Sequence, residues 1–187
     1  MPIRHPLASA ALTALALAAG GPVHADASRD QLRLSNWLKY VPAAGAAAYT
    51  AYRGDTAGYW QLGGEVAATV VATQALKLAF KDGDWGTRPD GGSKSFPSGH
   101  TSTACAGAAY LGERHGWQAA APAYAVSAWV AWIRVHEDRH HVRDVVAGCA
   151  LAIGLSKLVV QPWLPEGVSL MPMIAPSQVG LTLSANW

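Results

Sequence analysis

Residues 96–116 read FPSGHTSTACAGAAYLGERHG, and this stretch contains both a start and a stop signal for one helix. Pro97 holds the residue before it in an extended conformation, and Ser98 is a good N-cap for the helix that follows. Gly116 is a typical stop signal at the other end. The stretch therefore predicts a helix over residues 98–113.

The segments on both sides of this helix also have helical patterns. They predict four more helices, at about residues 30–53, 59–80, 118–135 and 140–160. A polar, glycine-rich interruption at residues 81–97 predicts a loop. Towards the C-terminus, Pro172 and Pro176 disfavour a helix and the last residues partly alternate, so we predict a short hairpin there. The expected fold is an all-α bundle of about five core helices with a β-like tail.

The chain has 187 residues, which suits one domain. We divide it into residues 1–25, a helical domain over residues 26–166, and a tail over residues 167–187. Residues 1–25 resemble an export signal, because Arg4 and His5 precede an apolar run and Val23-His24-Ala25 offers a small-residue cleavage site. An uncleaved N-terminal anchor is the alternative interpretation.

Composition leaves membrane association open. The chain is 51% hydrophobic and 14% charged, against roughly 25% charged residues in an ordinary soluble domain. Such a composition fits buried helices or helices that meet lipid. The formal net charge of +2 gives no support for nucleic-acid binding, which would need a clustered basic stripe. The oligomeric state is not indicated.

Cys105 and Cys149 are the only cysteines in the chain. Export would place them where a disulfide can form. Both lie in small, apolar, helix-like surroundings, so we interpret them as two buried thiols and keep a bond between them as the alternative.

The start of the central helix has the chemistry of an anion site. The free N–H groups at Gly99, His100 and Thr101 and the helix dipole favour a negative group there. Gly99 has no side chain, so a phosphate can approach the backbone. An ordinary cap with an incidental histidine next to it would have the same local sequence.

A second group of polar residues lies between residues 134 and 144. His140 and Asp144 are four apart, so on a helix they share one face, and a carboxylate there can leave one imidazole nitrogen free and nucleophilic. Arg134 can bind phosphate oxygens in a bidentate way. His136, His140 and Asp144 also have spacing that suits a metal site, and a solvated surface helix is a third interpretation.

The loop between the second and third predicted helices adds two cations, Lys81 and Arg88. With Arg134 and the helix start at Ser98, they would surround a trianionic group and neutralise its charge. In phosphoryl transfer Mg²⁺ often supplies part of this positive charge. Asp82, Asp84 and Asp90 lie in the predicted loop and do not have the arrangement of Mg²⁺ ligands. We therefore expect neither a metal nor another cofactor.

Three ordered motifs carry a resemblance to a known family. They are Lys81-x6-Arg88-Pro89, Pro97-Ser98-Gly99-His100 and Arg134-x5-His140-x3-Asp144. Together they resemble the type 2 phosphatidic acid phosphatase (PAP2) superfamily, over roughly residues 81–154. One departure is Ile133, where the family often has serine before the arginine.

The resemblance implies an all-helical core and a metal-independent phosphatase. It implies that His140 attacks phosphorus and forms a phosphohistidine, that Asp144 orients His140, and that His100 protonates the leaving alcohol and then activates water. By the same resemblance, the phosphate-binding residues are Lys81, Arg88, Ser98, Gly99 and Arg134.

The expected substrates are lipid phosphates of the phosphatidate, phosphatidylglycerophosphate, undecaprenyl pyrophosphate or lipid A class. The alternative is a broad-specificity periplasmic acid phosphatase that acts on small soluble esters. A vanadate-dependent haloperoxidase, a metallohydrolase and a non-catalytic envelope protein are further rivals. We expect the protein in the bacterial cell envelope, either in the periplasm or at the inner membrane with the site facing the periplasm, and in association with the membrane.

Overall fold

The computed structural model describes residues 25–162, 168–175 and 178–185. The predicted export signal at residues 1–25 falls almost entirely outside these residues. Within them the helices are α1 (Ala25–Leu38), α2 (Val41–Tyr52), α3 (Thr56–Ala79), α4 (Gly83–Gly86), α5 (Gly99–His115), α6 (Trp117–His136) and α7 (Val142–Val159). The predicted all-α bundle is confirmed.

Helix α5 lies at the centre of the bundle and packs against α2, α3, α6 and α7. Its buried side chains include Ala104, Ala106, Ala108 and Ala109, and they are small enough for helices to approach on several sides. At Gly107 the backbones of two helices meet, because an added Cβ would clash with the backbone nitrogen of Ala43 in α2. Because α5 packs against helices on several sides, these contacts define where its two ends lie in the bundle.

The first predicted helix, residues 30–53, is wrong as a single element. The structure has α1 and α2 instead, separated at Lys39 and Tyr40. Pro42 lies in the first turn of α2. Proline is well accommodated there but cannot continue a preceding helix, because it has no N–H and its ring clashes with the previous turn.

The last predicted helix also begins later than expected. Helix α7 begins at Val142, with His141 as its N-cap. His140 therefore lies in the turn before the helix, and the expectation that His140 and Asp144 share a helix face is wrong. The turn is closed by the carbonyl of Arg134, which accepts from the backbone N–H groups of Arg139 (3.0 Å) and His140 (3.1 Å).

The two cysteines form a disulfide, so their interpretation as free thiols is wrong. The bond joins Cys105 in α5 to Cys149 in α7. Each cysteine lies on the face that its helix turns to the other, and the chain positions are 44 residues apart. Neighbouring helices brought the two thiols together, which local sequence could not indicate.

The predicted C-terminal hairpin is present. Strands β1 (Val168–Ala175) and β2 (Gln178–Ala185) pair antiparallel, with Leu170 opposite Leu183. The proposed domain division stays a prediction. Within the described part of the chain, no helix combines the length and the apolarity that crossing a bilayer requires.

Candidate active site

The N-terminus of α5 is held by its own cap. Ser98 is fully buried, and its Oγ accepts from the backbone N–H (3.5 Å) and the hydroxyl (3.1 Å) of Thr101. Gly148 in α7 lies directly against this turn, where an added Cβ would come within 2.7 Å of the Ser98 carbonyl. The Ser98 N–H donates to the backbone carbonyl of Asp144 (2.9 Å). These contacts join the starts of α5 and α7.

Asp144 is the buried carboxylate of the site. Its Oδ2 accepts from the Ser95 hydroxyl (2.5 Å) and from the His141 N–H (3.0 Å). The same oxygen lies 3.5 Å from Nδ1 of His140. This distance is long for a hydrogen bond, but it places the carboxylate on the Nδ1 side of the ring. Asp144 can thus orient His140 although His140 is outside the helix.

His100 and His140 line one cavity of about 490 Å³. The two histidines are 40 positions apart in the chain and come from the start of α5 and the turn before α7. Gly99 lines the same cavity, so backbone and both rings face a common space. A larger groove of about 680 Å³ lies on another side of α5, but neither histidine lines it. Of these two cavities, the smaller one is lined by the candidate catalytic histidines.

The cavity is lined by both cationic and apolar side chains. Lys39, Lys77, Arg88 and Lys94 supply the positive charge; Tyr40, Ala43, Val66 and Val70 supply apolar surface. Arg134 is buried in the last turn of α6, and its Nη1 donates to the Ser35 hydroxyl (3.3 Å). An anion with an apolar substituent would match both kinds of lining.

The structure brings together most of the predicted site residues but not all of them. His100, His140, Arg88 and Gly99 line the cavity. The Ser98 hydroxyl caps α5. Arg134 is not among the lining residues, but its charge lowers the pKa values of His100 and His140. Lys81 is exposed and is not among the lining residues, so its predicted phosphate contact stays a prediction without geometric support.

Sequence reasoning missed three cations that line the cavity, Lys39, Lys77 and Lys94, and Lys77 is the buried one. Its Nζ donates to the carbonyls of Lys94 (2.7 Å) and Ser95 (3.2 Å), and its side chain lies along Gly99. A pattern in α3 could have revealed it. Polar residues recur at four-residue spacing in an otherwise apolar helix, and all are buried: Glu65, Thr69, Thr73 and Lys77. Such a polar stripe faces a polar interior.

Burial and mutual repulsion depress the pKa values of the site. Burial lowers the pKa of His100 to about 3, with further lowering by Arg134, Lys39, Arg88 and Lys77. Burial likewise holds the pKa of His140 far below its usual range, and Lys77 and Arg134 add to this. Both imidazoles are therefore neutral in the free protein, as a nucleophile must be.

The pKa values of two cationic side chains, Lys77 and Arg134, are lowered in the same way. Burial, followed by repulsion from Arg88, lowers the pKa of Lys77 to about 8, although Asp144 acts in the opposite direction. Burial and Arg88 also lower the pKa of Arg134 to about 10. A bound anion would relieve this repulsion, so the site is electrostatically prepared for one.

The loop that carries Arg88 is packed rather than loose. Trp85, in the short helix α4, makes edge contacts with Phe96 (ring centroids 4.8 Å apart) and a tilted contact with Phe80 (6.0 Å). Farther along, Asp90 forms an ion pair with Arg139 (2.8 Å). The loop is therefore anchored to α3 on one side and to the turn before His140 on the other.

The metal-site interpretation of the third motif has no geometric support. His136 does not join His140 and Asp144, because its ring stacks on Trp132 with centroids 4.7 Å apart. In the part of the chain that the structure describes, no three His, Cys, Asp or Glu side chains are grouped as metal ligands would be.

Comparison with known proteins extends these observations. The model of the PAP2 superfamily matches residues 58–164, more than half of the chain. The lipid A 1-phosphatase of Porphyromonas gingivalis is 40% identical over 76 residues, which cover 38% of this chain but only 17% of that protein. No solved structure matches the chain. The matches confirm the resemblance seen in the three motifs: the chain belongs to the PAP2 superfamily.

Proposed function

We propose that the protein hydrolyses lipid phosphates through a phosphohistidine on His140, without a metal ion. The observation that carries the proposal is the single cavity that His100 and His140 share with Lys77 and Arg88. Phosphoryl transfer needs a nucleophile, a proton donor and positive charge around the transferred group. All three are present around one space of about 490 Å³.

The first step forms a bond between His140 and phosphorus. Asp144 lies on the Nδ1 side of the ring, so Nε2 is the attacking nitrogen. As the N–P bond forms, the bond from phosphorus to the leaving oxygen breaks, and His100 gives that oxygen a proton. A bound phosphate dianion counters the cations that, together with burial, lower the pKa of His100, and so raises this pKa towards its usual value.

The second step releases phosphate. His100, now neutral, accepts a proton from water while the water oxygen attacks phosphorus and the N–P bond breaks. His140 leaves as a neutral imidazole, because burial and the positive charges of Lys77, Arg134 and Arg88 hold its pKa far below the usual range. The same cations stabilise charge on the phosphoryl oxygens in both steps.

The apolar part of the lining favours a lipid substrate. Tyr40, Ala43, Val66 and Val70 line the same cavity as the cations, which suits a leaving group with apolar substituents. Along the chain, Val71 follows the lining residue Val70 and is 68% exposed, and Trp37, three residues before Tyr40, is 75% exposed. We extend the proposal to association with the membrane surface and to the cell envelope as location, with the site facing the periplasm.

Phosphate release from purified protein tests the proposal. The substrates are phosphatidate and a lipid A preparation in detergent micelles, and a short alkyl phosphate in buffer. We expect a higher kcat/KM on a lipid phosphate and no loss of rate with EDTA. Acid-labile, base-stable ³²P on the protein, absent in His140→Ala, would identify the phosphohistidine.

Other outcomes select a rival. A higher kcat/KM on the alkyl phosphate would replace the lipid proposal with the broad-specificity phosphatase. Loss of activity to EDTA with recovery by a divalent metal would indicate a metallohydrolase. Halide oxidation with vanadate and peroxide, without ester hydrolysis, would indicate a haloperoxidase.

A further inference from the structure

The end of helix α1 reaches the candidate active site, although it precedes the matched family region, which begins at residue 58. Ser35 is fully buried and its hydroxyl accepts from Arg134. Lys39, just after the helix, lines the cavity. None of the three motifs includes this segment, so α1 supplies contacts to the site that the motifs do not account for.

Asn36 makes the contact that matters most for chemistry. Its Oδ1 lies 2.7 Å from Nε2 of His100. An amide oxygen can only accept a hydrogen bond, so this contact requires a hydrogen on Nε2 of His100. The nitrogen that remains for proton transfer with a substrate is then Nδ1. His140 has the same kind of support, since the carboxylate of Asp144 lies beside one of its ring nitrogens.

A neutral partner suits the surroundings of His100. The charged groups that act on its ring are Arg134 from α6, Lys39 from the end of α1, Arg88 from the loop and Lys77 from α3. Burial and these cations keep the imidazole neutral in the free protein. A carboxylate in place of the amide would counter them and make His100 more basic, whereas an amide fixes the ring and its hydrogen without adding charge.

We propose that Asn36 is a positioning residue that holds the hydrogen of His100 on Nε2, so that proton transfer to the leaving group and from water proceeds through Nδ1. The proposal rests on the proposed phosphatase function. In the first step the Nδ1 proton moves to the leaving oxygen as its bond to phosphorus breaks. In the second step Nδ1 takes a proton from water as the N–P bond breaks, which restores the starting state.

The kinetic test compares two leaving groups. Asn36→Ala should lower kcat on an alkyl phosphate by on the order of 10- to 100-fold, the usual cost of losing the support of a reacting group, with KM little changed. On p-nitrophenyl phosphate the loss should be several-fold smaller, because that leaving group needs little protonation. The matched control is Arg33→Ala on the same helix, whose exposed side chain pairs only loosely with Asp30 (3.7 Å).

A second variant tests the sign of the effect. Asn36→Asp keeps the acceptor and adds a negative charge beside His100, so the pKa of His100 should rise. The alkaline limb of kcat on the alkyl phosphate, which reports the proton donor in the bound complex, should then move to higher pH. Equal losses on both esters in Asn36→Ala, or an unmoved limb in Asn36→Asp, would overturn the positioning role.

A measurement without substrate separates this inference from the proposed function. Ring ¹⁵N NMR of the full chain should show neutral His100 with its hydrogen on Nε2, and Asn36→Ala should lose this preference. A wild-type ring with its hydrogen on Nδ1 would overturn the inference even in an active enzyme. A protein that hydrolyses no phosphate ester would instead remove the proposed function.

Discussion

Buried charged side chains lie at both ends of helix α5, but their balance differs: one cation is bonded to one carboxylate at the C-terminal end, whereas Lys77 and Arg134 share the neighbourhood of one carboxylate at the N-terminal end. At the C-terminal end, Arg114 donates to both carboxylate oxygens of Asp55 at 2.7 Å and to the carbonyl of Gln161 at 2.7 Å. These hydrogen bonds lower the pKa of Asp55 and raise that of Arg114. Each partner therefore stabilises the charged form of the other.

At the N-terminal end the pKa shifts have the opposite direction for cations. The pKa values of Lys77 and Arg134 are lowered, because both are buried and Arg88 repels them. Asp144 is the carboxylate beside them, and its Oδ2 already accepts from Ser95 and from the backbone of His141. A buried ion pair whose partners are hydrogen-bonded to each other stabilises the fold, whereas an excess of buried cations over carboxylates indicates a place for an anion.

The largest effect should come from the nucleophile. His140→Ala should lower kcat on any phosphate ester by on the order of 10⁴ or more, because nothing else can form the covalent intermediate. His136→Ala is the matched control, since its ring stacks on Trp132 away from the cavity. Phosphate release by both variants measures the difference. Near-normal turnover in His140→Ala would contradict the mechanism.

Breaking the ion pair at the C-terminal end of α5 should lower the stability of the fold. Asp55→Ala leaves the buried guanidinium of Arg114 without its carboxylate, so the free energy of unfolding should fall by about 3–5 kcal/mol. Urea denaturation at constant pH measures it. Asp30→Ala, which breaks an exposed pair with Arg33, should cost less than about 1 kcal/mol. Similar small losses in both variants would mean that the buried pair is not a structural clamp.

Lys77, which lines the cavity, and Lys81, which belongs to the sequence motif, should differ in their effect on activity. Lys77→Met should lower kcat/KM by about 10- to 100-fold, the worth of one charge-assisted hydrogen bond to phosphate. Lys81→Met should change it less than about threefold, because Lys81 is exposed and is not among the residues that line the cavity. Thermal unfolding of both variants controls for misfolding. The reverse order would return the role to the lysine of the sequence motif.

The smallest effect is a shift in pH dependence. Lys77 binds an anion in its protonated form, and its pKa is lowered to about 8 in the free protein. It loses that proton as pH rises through 8, so kcat/KM should decline above this pH. Lys77→Arg keeps the charge and should move the decline to higher pH. A decline at the same pH in both proteins would assign it to another group.

Much of the candidate site could be predicted from local sequence. The motif order pointed to His100, His140, Asp144 and Arg88, and the cavity contains the two histidines and the arginine with the carboxylate close behind. The reason given for one pair was wrong, since His140 precedes α7. The pair still meets because His141 caps the helix and Asp144 lies in its first turn, which brings the carboxylate back towards the preceding residue.

Other parts of the site depend on contacts between distant segments. Lys77 lies four residues before the motif lysine. The polar stripe of α3 marks it as a buried residue, but the packing of α3 on α5 decides that this stripe meets the cavity. Asn36 and His100 are 64 positions apart, and Cys105 and Cys149 are 44 positions apart. Nothing in a linear pattern encodes such meetings, because they depend on the crossing of helices that each pack on α5.

The amino-acid sequence by itself determined the helical bundle, the family and the two histidines, because caps, prolines and motif spacing act over a few residues. Only the tertiary structure decided which cations reach the cavity, which partner holds each imidazole and which thiols bond. Burial sets these outcomes, since a charge or a ring nitrogen acquires its pKa and its partner from side chains that arrive from other helices.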